Sequence, residues 1–77
     1  MATRGMFHIY ERRGKGSRWH MIDQATTSER AKEMSRTLVK ATSFYDQQAR
    51  VKNADTGNWV RNSLVTQEMI EAEGGSE

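Results

Sequence analysis

Met6 to Gln24 reads MFHIYERRGKGSRWHMIDQ, and the fold turns on this stretch. Its flanks, Met6–Arg12 and Arg18–Gln24, are rich in aromatic and β-branched residues, while Gly14 and Gly16 between them are free to adopt positive φ. That combination predicts a β-hairpin. Parity sets the expected register, because residues directly opposite each other point to the same face. Placing Phe7 and Ile9 with Trp19 and Met21 on a core face requires odd residues to oppose odd ones. The loop then holds either Gly14-Lys15-Gly16 or Arg13 to Ser17. A slip by one would bury Arg18 and His20 beside Ile9. The opposite face is expected to carry His8, Tyr10, Arg12, Arg18, His20 and Ile22.

Downstream, Thr26-Thr27-Ser28-Glu29 fits a capping box with Thr26 as N-cap. From there to about Thr42 no Gly or Pro intervenes, and Ala31, Met34, Leu38 and Ala41 recur at helical spacing, with Ser35 and Val39 widening the stripe. An amphipathic helix lying on a sheet is expected. Phe44–Ala54 then alternates, with Tyr45, Gln47, Ala49 and Val51 on one face. Asp55-Thr56-Gly57-Asn58 is a turn, and Trp59–Asn62 begins a fourth strand. A three-residue loop here puts Trp59 on the Val51 face, whereas a four-residue loop puts Val60 and Leu64 there. Val65, Met69 and Ala72 suggest a short terminal helix ended by Gly74.

The predicted fold class is therefore α+β: a ββαββ order, a four-stranded antiparallel sheet with one amphipathic helix on one face, and a short C-terminal helix. Residues 1–73 form one domain and 74–77 a disordered acidic tail. The 77 residues contain no Cys and no Pro and are 35% hydrophobic. A chain of this length buries only about 60–65% of the surface its unfolded form exposes, so it builds one modest core. No apolar run is long enough to span a membrane, and Met1–Met6 shows no signal-like apolar stretch, which predicts a cytoplasmic setting.

Net charge is +2, but it is unevenly spread. Residues 1–40 carry nine Lys/Arg against four Asp/Glu, and residues 41–77 carry three against six. The sharpest basic cluster is Arg12, Arg13, Lys15 and Arg18; the sharpest acidic one is Glu68, Glu71, Glu73 and Glu77. Either suits a solvated surface, and either also suits a charged partner.

The chemistry on offer is not catalytic. His8 and His20 fall on one face by parity, yet a zinc site needs three or four ligands. Asp46, Asp55, Glu68 and Glu71 have no defined partner in the pattern. The run Arg13-Gly14-Lys15-Gly16-Ser17 lacks the spacing of a phosphate-binding loop. No enzyme, metal or cofactor is expected. Two binding readings stand. In one, the basic tip meets phosphates while His8, Tyr10 and His20 offer stacking surfaces to bases. In the other, the open sheet face with its Tyr and Arg residues docks on a protein. A homodimer that enlarges the small core is a third use of the same face.

Taken together, the aromatic hairpin (MFHIYER, RWHMID), the capped helix (TTSERAKEMSRTLVKAT) and the closing hairpin around ADTGNW resemble the compact accessory proteins of bacteriophages, among them small sheet-plus-helix anti-CRISPR proteins. The resemblance spans about residues 6–62, rests on architecture and transfers no functional residue. It implies a non-enzymatic inhibitor that docks on a protein complex of a bacterial host, at a nucleic-acid channel or a subunit joint. The positive net charge departs from acidic DNA mimics and favours blockade of a protein surface. The leading expectation is thus a small protein-binding domain that uses His8, Tyr10, Arg12, Arg13, Lys15, Arg18 and His20, with nucleic-acid binding through the same residues as the alternative.

Overall fold

The aromatic and β-branched flanks of the first stretch pair as antiparallel strands β1 (Phe7–Arg13) and β2 (His20–Ala25). They belong to a computed structural model that describes residues 6–42 and 44–74. Helix α1 (Ser28–Ala41) follows, then strand β3 (Gln47–Asn53), the short strand β4 (Val65–Thr66) and helix α2 (Gln67–Gly74). The strands form one antiparallel sheet in the order β2-β1-β3-β4. Helix α1 covers one face, and α2 packs on α1 and β4. This is the α+β, ββαββ arrangement that the sequence predicts.

The register of the first hairpin differs from strict alternation. Phe7 opposes Ala25 and Ile9 opposes Asp23, but Tyr10 opposes Met21 and Glu11 opposes His20, so Ile22 is the extra residue of a β-bulge. The bulge reverses parity along β2. Ala25 and Asp23 share the helix-covered face with Phe7 and Ile9, whereas Met21 falls on the Tyr10 side and is half exposed. Trp19 and Met21 are therefore not core residues, and His20 and Ile22 are not on the open face. The reason is the bulge, whose extra residue turns the side chains ahead of it on β2 to the opposite face. Over the sheet the helix presents Ala31, Ser35 and Val39, one turn apart, against Ile9, Ala49 and Val51.

Those three helix residues shift the stripe. Met34 and Leu38 flank it half-buried, each packed on an apolar cluster, and Ala41 is exposed. Ser35 is fully buried without penalty, since its hydroxyl donates to the Ala31 carbonyl at 2.9 Å. Two apolar clusters result. One joins Ile9, Ala25, Ala31 and Val51, bordered by Phe7, Met34 and Val60. The other joins Val39, Ala49 and Val65, bordered by Leu38 and Ile70.

The N-cap is Thr27, one residue later than the capping-box pattern suggests; its Oγ1 accepts from the Arg30 backbone N–H at 3.1 Å. Glu29 is consequently in the first turn, where it suits the helix dipole, and does not close a box. Thr27→Ala is expected to lower stability by about 0.5–2 kcal/mol in a urea titration, with Thr26→Ala nearly neutral. Equal losses would return the cap to Thr26.

Strand β3 is shorter than the alternating stretch. Gln47, Ala49 and Val51 point to the helix as expected, but Tyr45 lies in the preceding turn and is 88% exposed. Asp46 in that turn accepts the Gly14 N–H at 2.7 Å through its backbone carbonyl. Gly14 has φ of 73°, a left-handed conformation that favours glycine, and a Cβ there would come within 3.1 Å of the carboxylate of the exposed Asp46 side chain, which can shift aside.

After β3, Asn58 and Asn53 close a four-residue loop, Ala54–Gly57, with a 2.8 Å backbone bond. Trp59 then bridges Lys52, while the Val60 N–H donates to the Val51 carbonyl at 2.8 Å. Val60 accordingly faces the core and Trp59 the other side. No continuous strand starts at Trp59, however. The chain turns at Arg61 and Asn62, the latter at φ of 58°, and rejoins the sheet only at Val65–Thr66, leaving Leu64 exposed. Ser63 fills the gap: its buried hydroxyl accepts from the Val51 N–H at 3.2 Å and lies 2.7 Å from the Val60 carbonyl, to which it donates.

The terminal helix forms because it docks. Gln67 Nε2 donates to the Val39 carbonyl at 2.8 Å, Ile70 packs on the second cluster, and Arg36 of α1 pairs with Glu73. Of the three residues whose spacing suggests this helix, Val65 belongs to β4, and Met69 and Ala72 lie on α2 and are exposed. Of the tail predicted from 74, Gly74 ends α2 and residues 75–77 lie outside the described residues. No helix among the described residues is long and apolar enough to cross a membrane.

Candidate functional site

The alternation that buries Ala49 and Val51 turns Gln48, Arg50 and Lys52 outward, opposite Arg12, Tyr10 and His8 of β1. Together they occupy the face that neither helix covers. Trp19, ahead of β2, and Trp59, beside β3, close over the same ground. Tyr10 meets Trp59 edge-to-face at 5.3 Å between ring centres, and Trp19 meets Trp59 at 5.4 Å, tilted by 53°.

Three cations lie on these rings. The Arg12 guanidinium is 4.4 Å from the centre of Trp19 and also donates from Nε to Gln48 Oε1 at 2.8 Å. Arg50 is 4.6 Å from the centre of Trp59. Lys52 Nζ sits 4.6 Å from Trp59 and 4.9 Å from Tyr10. Each such contact contributes about 0.5–1 kcal/mol at a solvent-exposed site. None of the three cations has a carboxylate within ion-pair distance among the described residues.

Strand register places no Asp or Glu on this face. Glu11 points to the helix side and accepts from Gln47 Nε2 at 2.8 Å; Asp23 opposes Ile9 on that same side. Glu68, Glu71 and Glu73 are on α2. The charge asymmetry of the sequence thus becomes an asymmetry between faces: a cationic, aromatic face against a helical side of mixed charge.

The residues singled out from sequence divide. His8, Tyr10 and Arg12 come together on the open face. Lys15 and Arg18 are exposed in the connection between β1 and β2. Arg13 and His20 are on the other side. Arg13 lies 3.5 Å over the Phe44 ring, and His20 opposes Glu11 and lines a groove of about 420 Å³ with Arg13, Leu38, Phe44 and Gln47. His8 and His20 therefore do not share a face. Among the described residues, no group of three or more His, Asp or Glu side chains converges as metal ligands would.

Three residues at the centre of the face escape the sequence reading, Trp19, Arg50 and Lys52, while a fourth, Trp59, is left open there between the two faces. Arg50 and Lys52 were legible, because alternation with Ala49 and Val51 obliges them to face away from the core. Trp19 was not, since its side depends on the bulge at Ile22. Trp59 required the length of the Ala54–Gly57 loop. Comparison of the chain with protein-family models, with curated proteins and with solved structures returned no match.

Proposed function

We propose that this protein is a small non-catalytic binding domain that takes nucleic acid on its open sheet face. The observation that carries the reading is the gathering of Arg12, Arg50 and Lys52 beside Tyr10, Trp19 and Trp59, on a face to which strand register assigns no carboxylate. Unpaired cations supply phosphate contacts. Aromatic rings supply base stacking, worth about 1–3 kcal/mol per base, more than the cation contact each ring makes in the free protein. His8, opposite Lys52, adds a further ring to this face.

The test is the double variant Arg50→Glu/Lys52→Glu, titrated with a fluorescent oligonucleotide at several salt concentrations. Wild type is expected to bind with a log–log salt slope of about −2, corresponding to three phosphate contacts on a single strand. The double variant should lose binding at low salt while retaining the wild-type circular dichroism spectrum. Undiminished binding by the double variant would remove the function from this face.

A second reading gives the same face to a protein complex of a bacterial host, met in the cytoplasm, with this chain as a phage-type, anti-CRISPR-like inhibitor. It is favoured by the side chains themselves, since Trp, Tyr and Arg are the types enriched at binding hot spots. Absence of oligonucleotide binding by wild type, with one host complex retained after nuclease treatment and lost in the double variant, would select it.

A further inference from the structure

Resting on the nucleic-acid reading, we infer that the ligand is a single strand with unpaired bases, and that Arg12, Arg50 and Lys52 hold the ring faces only until bases replace them. The free protein stacks its cations on its own aromatics: Arg12 on Trp19, and Arg50 and Lys52 on Trp59. These are the groups that phosphates and bases would each engage separately. An incoming strand offers both partners at once. Its phosphates draw the guanidinium and ammonium groups outward, and its bases take the ring faces thereby vacated. A duplex offers only the first exchange, because its bases are stacked on one another and present no free faces.

The three rings are close together, 5.3 and 5.4 Å between centres, with Trp59 in the middle. They form one compact platform and not a long track, so specificity for unpaired bases is concentrated on Trp59 and its two ring neighbours. The exposed Lys15 and Arg18, in the connection that leads to Trp19, continue the positive charge beyond the platform.

The experiment compares three probes on the full chain at one low salt concentration: an oligothymidylate of about ten nucleotides, the duplex of the same length, and an abasic strand of that length. Tryptophan emission and affinity are both read. The oligothymidylate is expected to quench emission and to bind about tenfold or more tightly than either the duplex or the abasic strand. In NMR spectra, the Arg12 and Arg50 side-chain resonances should lose their ring-current shifts with oligothymidylate and keep them with the duplex. The Trp59→Leu variant should retain its affinity for the abasic strand and lose the preference for oligothymidylate. Should that variant not fold, the wild-type comparison of the three probes decides alone. Equal affinity for all three without quenching would overturn the exchange and leave phosphate binding on this face intact. Failure of every probe to bind would overturn the nucleic-acid reading itself, and this inference with it.

Discussion

Ile9→Ala is expected to destabilise the protein by about 2–5 kcal/mol, the range for removing a large aliphatic side chain from a closed core. Ile9 is 1% exposed and joins Val51 of the neighbouring central strand to Ala25 and Ala31, so its loss opens a hole that small, rigidly placed neighbours cannot refill. For a domain of this size total stability is about 4–12 kcal/mol, and the variant therefore forfeits a large share of it. In thermal unfolding this corresponds to a fall in midpoint of roughly 8–40 °C. Met21→Ala is the matched control. Met21 is 50% exposed and on the other face, so it should cost less than about 1 kcal/mol. The pair tests the bulge at Ile22, because unbroken alternation would make Met21 a core residue beside Ile9. Similar losses for both variants would show that the bulge is misplaced.

Ser63→Ala should cost about 1–3 kcal/mol, a large effect for the loss of a single oxygen. The hydroxyl is fully buried and takes the Val51 N–H where a fourth strand would otherwise supply a carbonyl. Removing it leaves a buried amide without a partner in a central strand, and the full desolvation penalty then applies. Hydrogen exchange at the Val51 amide should accelerate by more than at its core neighbour Ala49, which pairs with Val65 of β4. The exposed neighbour Leu64 provides the comparison: Leu64→Ala should have a small effect on both measurements. Wild-type protection of Val51 in Ser63→Ala would mean that the excursion from Arg61 to Leu64 relaxes into an ordinary ladder.

Much of the fold was legible because the signals for it are local. Aromatic and β-branched flanks around two glycines announce a hairpin, and a Thr-rich start followed by an unbroken amphipathic run announces a helix. Strand β3 shows its faces directly, since Ala49 and Val51 alternate with Arg50 and Lys52. Half of the candidate site was written in that alternation. Its other half was not, because a single extra residue in β2 reverses the face of Trp19, Met21 and His20 together. Neither Ile22 nor its neighbours carry a composition that marks a bulge.

The helix stripe shows the same division. Periodicity put Ala31, Met34, Leu38 and Ala41 in the buried row, with Ser35 and Val39 widening it. In the structure Ala31, Ser35 and Val39 are fully buried, and Met34 and Leu38 pack on the edges of the two clusters. Trp19 and Trp59 bury what area they can against each other and Tyr10 on the open side.

The order of elements, their approximate ends and the outward set of Arg12, Arg50 and Lys52 were determined by the sequence itself, through backbone preference and period-two alternation. Which face receives Trp19, where the fourth strand resumes, and the meeting of three aromatic rings under three cations were decided only in the tertiary structure. Each depends on an irregularity in pairing between strands far apart in the chain: the extra Ile22, the four-residue loop Ala54–Gly57 and the turn at Arg61 and Asn62.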